Sequence, residues 1–82
     1  MRVQVKLYAT LREYAAPDNE IGASFEVQLI GNALEDLFKQ LGFGMERAKI
    51  VMINGGSVVD LSTQLNEDDL VLIFPPVGGG VV

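Results

Sequence analysis

The chain of 82 residues is long enough for one small domain, and its 49% of apolar residues exclude a disordered protein. Eleven acidic against six basic residues give a net charge of -5, which argues against nucleic acid as a partner. Cysteine and histidine are absent, which excludes disulfides, zinc sites and catalytic centres built on a thiol or an imidazole.

Charged and polar residues alternate with apolar ones from the N-terminus onward, so the sequence displays no signal peptide. Its apolar runs are all much shorter than the roughly 20 residues of a membrane span. We therefore expect a cytoplasmic domain that has no membrane partner.

The N-terminal segment, residues 2–9, alternates strictly between two sides, which is typical of a half-buried strand. The residues on its apolar side are Val3, Val5, Leu7 and Ala9. Tyr8 lies on the opposite, polar side. Thr10 and Glu13 then have the spacing of a capping box, which predicts a short helix that ends before Pro17.

A second strand and the main helix follow. Residues 24–29 alternate again, with Phe25, Val27 and Leu29 on one side. Asn32 is the predicted N-cap of the helix, with Glu35 three positions later, and Gly42 is its predicted end. The apolar stripe of this helix consists of Leu34, Leu37, Phe38 and Leu41. Spacings of three and four residues are those of an amphipathic helix that packs on a sheet.

The second half of the chain predicts three short strands. Residues 50–53 are apolar, residues 54–56 (Asn-Gly-Gly) predict a tight turn, and residues 57–59 return as a short strand. A charged turn at residues 67–69 precedes residues 70–74, which are apolar on both faces and therefore predict a central strand beside the first strand. The predicted class is α+β, a sheet of four to five strands with one main helix across one face.

The C-terminal segment starts where Pro75 and Pro76 end the last strand, because neither proline donates a ladder hydrogen bond. Glycines follow, and the four residues 77–80 span roughly 13 Å when extended. We therefore predict a folded domain over residues 1–76 and a flexible, glycine-rich tail over residues 77–82. The alternative is an ordinary frayed terminus.

Several segments together resemble the MoaD/ThiS sulfur carriers, and in particular the small subunit of molybdopterin synthase. The matching residues are the stretch 5–13, Ile53-Asn54-Gly55, Leu65, Asp69, and Phe74-Pro75-Pro76-Val77 with the glycines after it. The Pro-Pro-Val-x-Gly-Gly ending is the specific part of the pattern. The resemblance covers the whole chain and implies a β-grasp, ubiquitin-like fold with a mixed sheet.

The resemblance also implies a function. A ubiquitin-activating-like adenylyltransferase would use ATP to adenylate the carboxylate of Gly80. This carboxylate would become a thiocarboxylate and donate sulfur in the biosynthesis of the molybdenum cofactor. The chain would then be the non-catalytic, sulfur-donating partner of a molybdopterin synthase large subunit. It would hold no permanent cofactor and no metal. Gly79 and Gly80 would fit a narrow partner channel because they lack side chains.

Two departures from the family pattern stand out. The family ends at the diglycine, whereas Val81 and Val82 follow Gly80 in this sequence. We therefore expect a processing protease to remove both valines before activation. The family usually has Gly-Asp before the last strand, where this chain has Asp68-Asp69, and we expect that change to be a tolerated surface substitution.

A docking patch is expected at the root of the tail, because ordering the tail costs roughly 1–2 kcal/mol per residue. Tyr8 and Phe74 are the aromatic candidates, since aromatic residues are favoured at interface centres. Arg12 is a candidate for a charged contact. The remaining predicted partner-binding residues are Pro75, Pro76, Val77 and Gly78. Alternatively, Phe74 fills the core and Arg12 is an ordinary surface charge.

The acidic residues Asp60, Glu67, Asp68 and Asp69 resemble a cation site in composition only, and a solvated turn is the preferred interpretation. Three other functions stay open: a sulfur carrier for thiamine, cysteine or thiolated tRNA, a ubiquitin-like protein modifier, and a binding module that is never activated.

Overall fold

In the computed structural model, residues 1–9, 11, 23–44 and 46–76 are described. Within them lie five strands and one α-helix. The elements are β1 (Arg2–Leu7), β2 (Phe25–Gln28), α1 (Leu34–Leu41), β3 (Ile50–Ile53), β4 (Gly56–Val58) and β5 (Leu70–Phe74). In this part of the chain no helix is long and apolar enough to cross a bilayer.

The strands form one mixed sheet in the order β2-β1-β5-β3-β4. Strands β1 and β5 are parallel, with Val5 opposite Val71, and the other neighbouring pairs are antiparallel. The predicted position of the last strand, in the middle of the sheet and beside the first, is therefore confirmed. With α1 packed on one face, this is the β-grasp arrangement that the resemblance implied.

The core lies between α1 and the sheet. Alternate residues of the strands point toward the helix, and Val3, Val5, Val71 and Ile73 are all 0% exposed. The helix contributes Leu34, Leu37 and Phe38, as its periodicity predicts, while Leu41 is only partly buried. Residues from the connections complete the core: Leu11, Leu29, Ala33, Phe43, Ala48 and Leu65.

The predicted N-cap of α1 is wrong by one residue. The cap is Ala33, and the carboxylate of Asp36 accepts the backbone N–H groups of Ala33 (3.0 Å) and Asn32 (3.2 Å). The N–H groups of Leu34 and Glu35 donate to backbone carbonyls of the 61–63 segment, so the first turn needs no Asn32 side chain. The predicted end is confirmed, since Gly42 has φ 100°.

Strand β1 is shorter than its alternation predicts. It ends at Leu7, and Ala9 is exposed with φ 51° instead of lying on the apolar side. The chain turns there, because the N–H of Leu11 donates to the Tyr8 carbonyl (3.0 Å), and Leu11 enters the core in place of Ala9. The predicted capping box and short helix, apart from Leu11, lie outside the described residues.

The β3–β4 hairpin turns through Asn54 (φ 50°) and Gly55 (φ 89°), as the Asn-Gly pair predicts. Asn54 also fastens the hairpin to the start of β5. Its amide Nδ2 donates to Asp69 Oδ1 (2.8 Å), and its Oδ1 accepts the N–H of Leu70 (2.9 Å).

The prediction of a solvated acidic turn at residues 67–69 is wrong for Asp69, which is only 7% exposed. Its carboxylate accepts the Asn54 amide and the N–H of Asn66 (2.8 Å), so a buried charge is compensated by two donors. Asp68 has φ 67°, a left-handed conformation in which glycine is unstrained. Where the family has glycine, the backbone of this chain thus keeps a conformation that favours glycine, although the residue is Asp68.

We expect Asn54→Gly to lower the free energy of unfolding by about 1–3 kcal/mol, because the N–H of Leu70 and one oxygen of buried Asp69 lose their partner. Glycine keeps the positive φ, so backbone strain does not contribute. Urea denaturation measures the loss. Asn66→Gly, which removes an exposed side chain without hydrogen bonds, controls for glycine entropy. Equal losses in the two variants would contradict a role for the Asn54 amide.

Candidate functional site

The two aromatic residues predicted at the root of the tail lie against each other. Tyr8 directly follows β1, and Phe74 is the last residue of β5. Their rings stack with centroids 4.2 Å apart and planes inclined by 10°. The N–H of Tyr8 donates to the carbonyl of Ile73 (3.2 Å), which extends the parallel β1–β5 pairing as far as this pair. The predicted adjacency is confirmed, and the binding role stays a prediction.

Tyr8 and Phe74 belong to a larger apolar surface on the side of the sheet away from α1, which we call the open face. Lys6 lies opposite Leu72, which in turn lies opposite Met52, and Phe74 lies opposite Ile50. The residues of the open face are Lys6, Tyr8, Ile50, Met52, Leu70, Leu72 and Phe74. Ile50 and Leu70 are 45% and 38% exposed, which is typical of a surface available to a partner.

Phe74 lies on the open face, partly buried and outside the core cluster, so the alternative that it fills the core is wrong. Sequence reasoning missed Ile50, Met52, Leu70 and Leu72, because strands that are apolar on both faces do not reveal which side carries a helix. A signal was present in β1, whose polar side marks the open side of its neighbour β5.

The end of β5 is held in place on both sides. The carbonyl of Phe74 accepts the N–H of Lys49 (2.8 Å), and Pro75 is buried whereas Pro76 is exposed. A pocket of about 230 Å³ beside it is lined by Glu46, Arg47, Pro75 and Pro76. Pockets for small molecules usually measure about 300–1,000 Å³, so this concavity is smaller than most of them.

The remaining predicted site residues lie outside the described part of the chain. They are Arg12, Val77, Gly78, Gly79 and Gly80. Their roles in partner binding and in the chemistry stay predictions. The structure does show where the chain leaves the domain. This point is the end of the central strand β5, beside the Tyr8–Phe74 stack.

The acidic residues have local partners. Hydrogen bonds from the N–H and hydroxyl of Ser62 lower the pKa of Asp60, and Asp68 pairs with Arg2 (Nε to Oδ1, 2.8 Å). Glu67 accepts the backbone N–H of Arg2 (3.1 Å). Among the residues that the structure describes, no group of three acidic side chains is placed to hold a metal ion.

The mixed sheet with α1 packed across one face and an apolar open face on the other defines a small β-grasp protein of the ubiquitin-like class. The model of the ThiS family matches residues 5–80, and the chain therefore belongs to the ThiS family, in which the MoaD/ThiS sulfur carriers are grouped. The resemblance of the sequence to these carriers is confirmed.

Solved structures agree with this assignment. A Pyrococcus furiosus protein described as subunit 1 of molybdopterin converting factor is 26% identical, with a TM-score of 0.66, over 93% of this chain and 98% of its own. A chain from the complex of subunits 1 and 2 of the Helicobacter pylori molybdopterin-converting factor is 24% identical (TM-score 0.58, coverage 98% and 100%). Small archaeal modifier protein 1 of Haloferax volcanii is 21% identical (TM-score 0.64, coverage 93% and 98%). A search of curated proteins gives no match.

Proposed function

We propose that the chain is a sulfur carrier that accepts and donates sulfur at the C-terminal carboxylate of Gly80. The observation that carries this proposal is the family match, which runs through the glycines to residue 80. A carboxylate is a poor electrophile, so it must first be joined to AMP. A sulfur nucleophile then attacks the acyl carbon, AMP leaves, and a thiocarboxylate remains on the protein.

The chain does not need catalytic side chains for this role. It contains no histidine or cysteine, and the chemistry falls to the adenylyltransferase, which supplies the ATP site. What the chain contributes is a thin end, because Gly79 and Gly80 lack the Cβ that a narrow channel would reject. It is a substrate of one enzyme and the sulfur-donating subunit of another.

The open face is the proposed docking surface for both partners. Ordering a tail of four residues costs roughly 4–8 kcal/mol at 1–2 kcal/mol per residue, so binding must draw favourable free energy from the folded domain. Apolar area buried at the open face supplies about 25 cal/mol per Å² before the other costs of association. The Tyr8–Phe74 stack lies where the chain leaves the domain, so a partner seated there also receives the tail.

The proposed sulfur acceptor is the pterin precursor of the molybdenum cofactor, bound by a molybdopterin synthase large subunit. One similarity supports it. The Pyrococcus furiosus relative is described as a subunit of molybdopterin converting factor.

We expect Tyr8→Ala to weaken binding to the adenylyltransferase and to the large subunit by more than about 1 kcal/mol, since it removes an aromatic anchor from the interface centre. Titration calorimetry measures both affinities. Ile30→Ala is the matched control, because Ile30 is 84% exposed before α1 and lies outside the open face. Unchanged affinity of Tyr8→Ala for both partners, with an unchanged melting temperature, would remove the open face from the proposal.

The acceptor is tested with the sulfur-loaded chain. We expect a molybdopterin synthase large subunit with its pterin precursor to consume the thiocarboxylate, and thiamine, cysteine or tRNA systems to leave it intact. If only the thiamine, cysteine or tRNA system consumes the thiocarboxylate, the chain is still a sulfur carrier but serves another pathway. If isopeptide conjugates to lysines are recovered from cells without any sulfur transfer, the chain is a protein modifier and not a sulfur carrier.

The proposed activation needs a free carboxylate on Gly80, and Val81 and Val82 follow it in the sequence. We therefore propose that a protease cleaves after Gly80. The folded domain, residues 1–76, would be the same before and after cleavage.

A further inference from the structure

One cation lies inside the apolar open face. Lys6 points outward near the end of β1, opposite Leu72 of the central strand, and is partly buried. Its Nζ lies over the Tyr8 ring, 5.4 Å from the ring centroid. Lys6 is therefore within the surface proposed for docking, beside the aromatic pair that would form its centre.

Lys6 has no ion pair with any residue in the described ranges 1–9, 11, 23–44 and 46–76. Glu26 lies opposite Gln4 on β2 and is thus diagonal to Lys6. The Glu26 carboxylate accepts a hydrogen bond from Gln28 (2.8 Å). The face of the Tyr8 ring stabilises the Lys6 ammonium, and the rest of the partly buried side chain faces outward.

Docking changes this balance. An apolar partner surface laid over Leu72 and Tyr8 would also cover Lys6 and remove water from its ammonium group. An ammonium that loses water without gaining an acceptor is strongly destabilised, whereas one that meets a carboxylate is compensated. Lys6 therefore disfavours an apolar partner without a carboxylate at this position and favours one that has it. Such a difference in affinity gives specificity between otherwise similar partner surfaces.

We propose that the adenylyltransferase, seated on the open face, carries an Asp or Glu carboxylate that pairs with Lys6. This inference rests on the proposed docking role of the open face and adds the chemistry of the partner. The observation that carries it is a partly buried ammonium group placed between Leu72 and the Tyr8 ring.

The test is the affinity of Lys6 variants for the purified adenylyltransferase of the same organism. Lys6→Met keeps the length and the apolar stem but removes the charge. We expect its dissociation constant to rise at least about tenfold, because the partner's carboxylate is left covered and unpaired. Lys6→Arg should bind within about threefold of the wild type, since Arg also pairs with carboxylates. Lys39→Met, on the exposed side of α1, is the matched control and should bind as the wild type does.

The sign of the Lys6→Met effect decides the question. If the partner presents no carboxylate, removing the ammonium also removes its desolvation cost, and Lys6→Met binds as tightly as the wild type or more tightly. That result overturns the inference about Lys6. The proposed function still stands if the wild type binds the adenylyltransferase and Tyr8→Ala loses this binding. A wild-type chain that does not bind the adenylyltransferase at all overturns both.

A zero-length carbodiimide cross-link gives an independent readout on the wild-type complex. It joins an amine to a carboxylate only when the two are in contact. We expect mass spectrometry of the digested complex to recover Lys6 joined to one Asp or Glu of the partner. Recovery of cross-links through Lys39 but none through Lys6 would contradict the pairing.

Discussion

A chain that ends at Gly80 should be adenylated at least about 100-fold faster than the chain of 82 residues, because misplacing a reacting group by as little as about 1 Å can cost that factor. The two valines advance the terminus by about 7 Å beyond the glycine. The reacting carboxylate then belongs to Val82, whose branched Cβ would add bulk in the proposed channel for glycine.

The measurement is ATP–pyrophosphate exchange catalysed by the adenylyltransferase of the same organism. A chain ending at Pro76 is the control: it should melt at the temperature of the full chain and support no exchange. If the chain of 82 residues exchanges as fast as the chain ending at Gly80, cleavage after Gly80 is unnecessary. If neither reacts, the interpretation as a binding module without activation gains.

Leu37→Ala should lower the free energy of unfolding by roughly 2–5 kcal/mol, the range for truncating a large aliphatic residue in a packed core. Leu37 is 0% exposed in the middle of α1 and is packed against the strand residues of the core. Phe38→Ala should cost a similar amount, since Phe38 is 3% exposed and its ring lies 5.2 Å from that of Phe43.

Urea denaturation measures both losses, and the dependence of the free energy of unfolding on urea concentration should stay unchanged. Lys39→Ala is the matched control on the solvent side of the same helix, and surface substitutions of this kind usually stay within about 0.5 kcal/mol. A Leu37→Ala variant as stable as Lys39→Ala would mean that the helix packs on the sheet through another face.

The fold was largely predictable because its signals are local. Alternation in β1 and β2, the helical spacing of the apolar stripe, and the Asn-Gly turn each depend on a few neighbouring residues. Even the central position of β5 follows from a strand that is apolar on both faces. Ala9 and the N-cap of α1 were predicted wrongly because contacts from Leu11 and from the 61–63 segment override the local pattern.

The candidate site was only partly predictable. Tyr8 and Phe74 could be placed together, because parallel neighbours that end at the same edge bring their last residues into contact. The burial of Asp69 could not, since it depends on Asn54, which lies 15 residues earlier in the chain. Ile50 and Met52 join the open face only through the strand order, which local sequence does not encode.

The surroundings of Lys6 could not be predicted from the sequence either. In the sequence Lys6 is one of the chain's six basic residues and lies on the polar side of an alternating strand, with nothing to distinguish it. The strand order places Lys6 beside Leu72 and the Tyr8 ring. A partner that covers these two residues also covers the Lys6 ammonium, and must therefore replace the water around it.

Sulfur loading of Gly80 is tested most directly by the intact mass of a chain ending at that residue, after incubation with the adenylyltransferase, ATP and a sulfur donor. We expect the mass to rise by the difference between one sulfur and one oxygen atom, and fragmentation to place the gain on the terminal glycine. The same incubation without ATP should leave the mass unchanged. A chain that is adenylated or bound by the enzyme and yet never gains this mass would contradict a sulfur carrier.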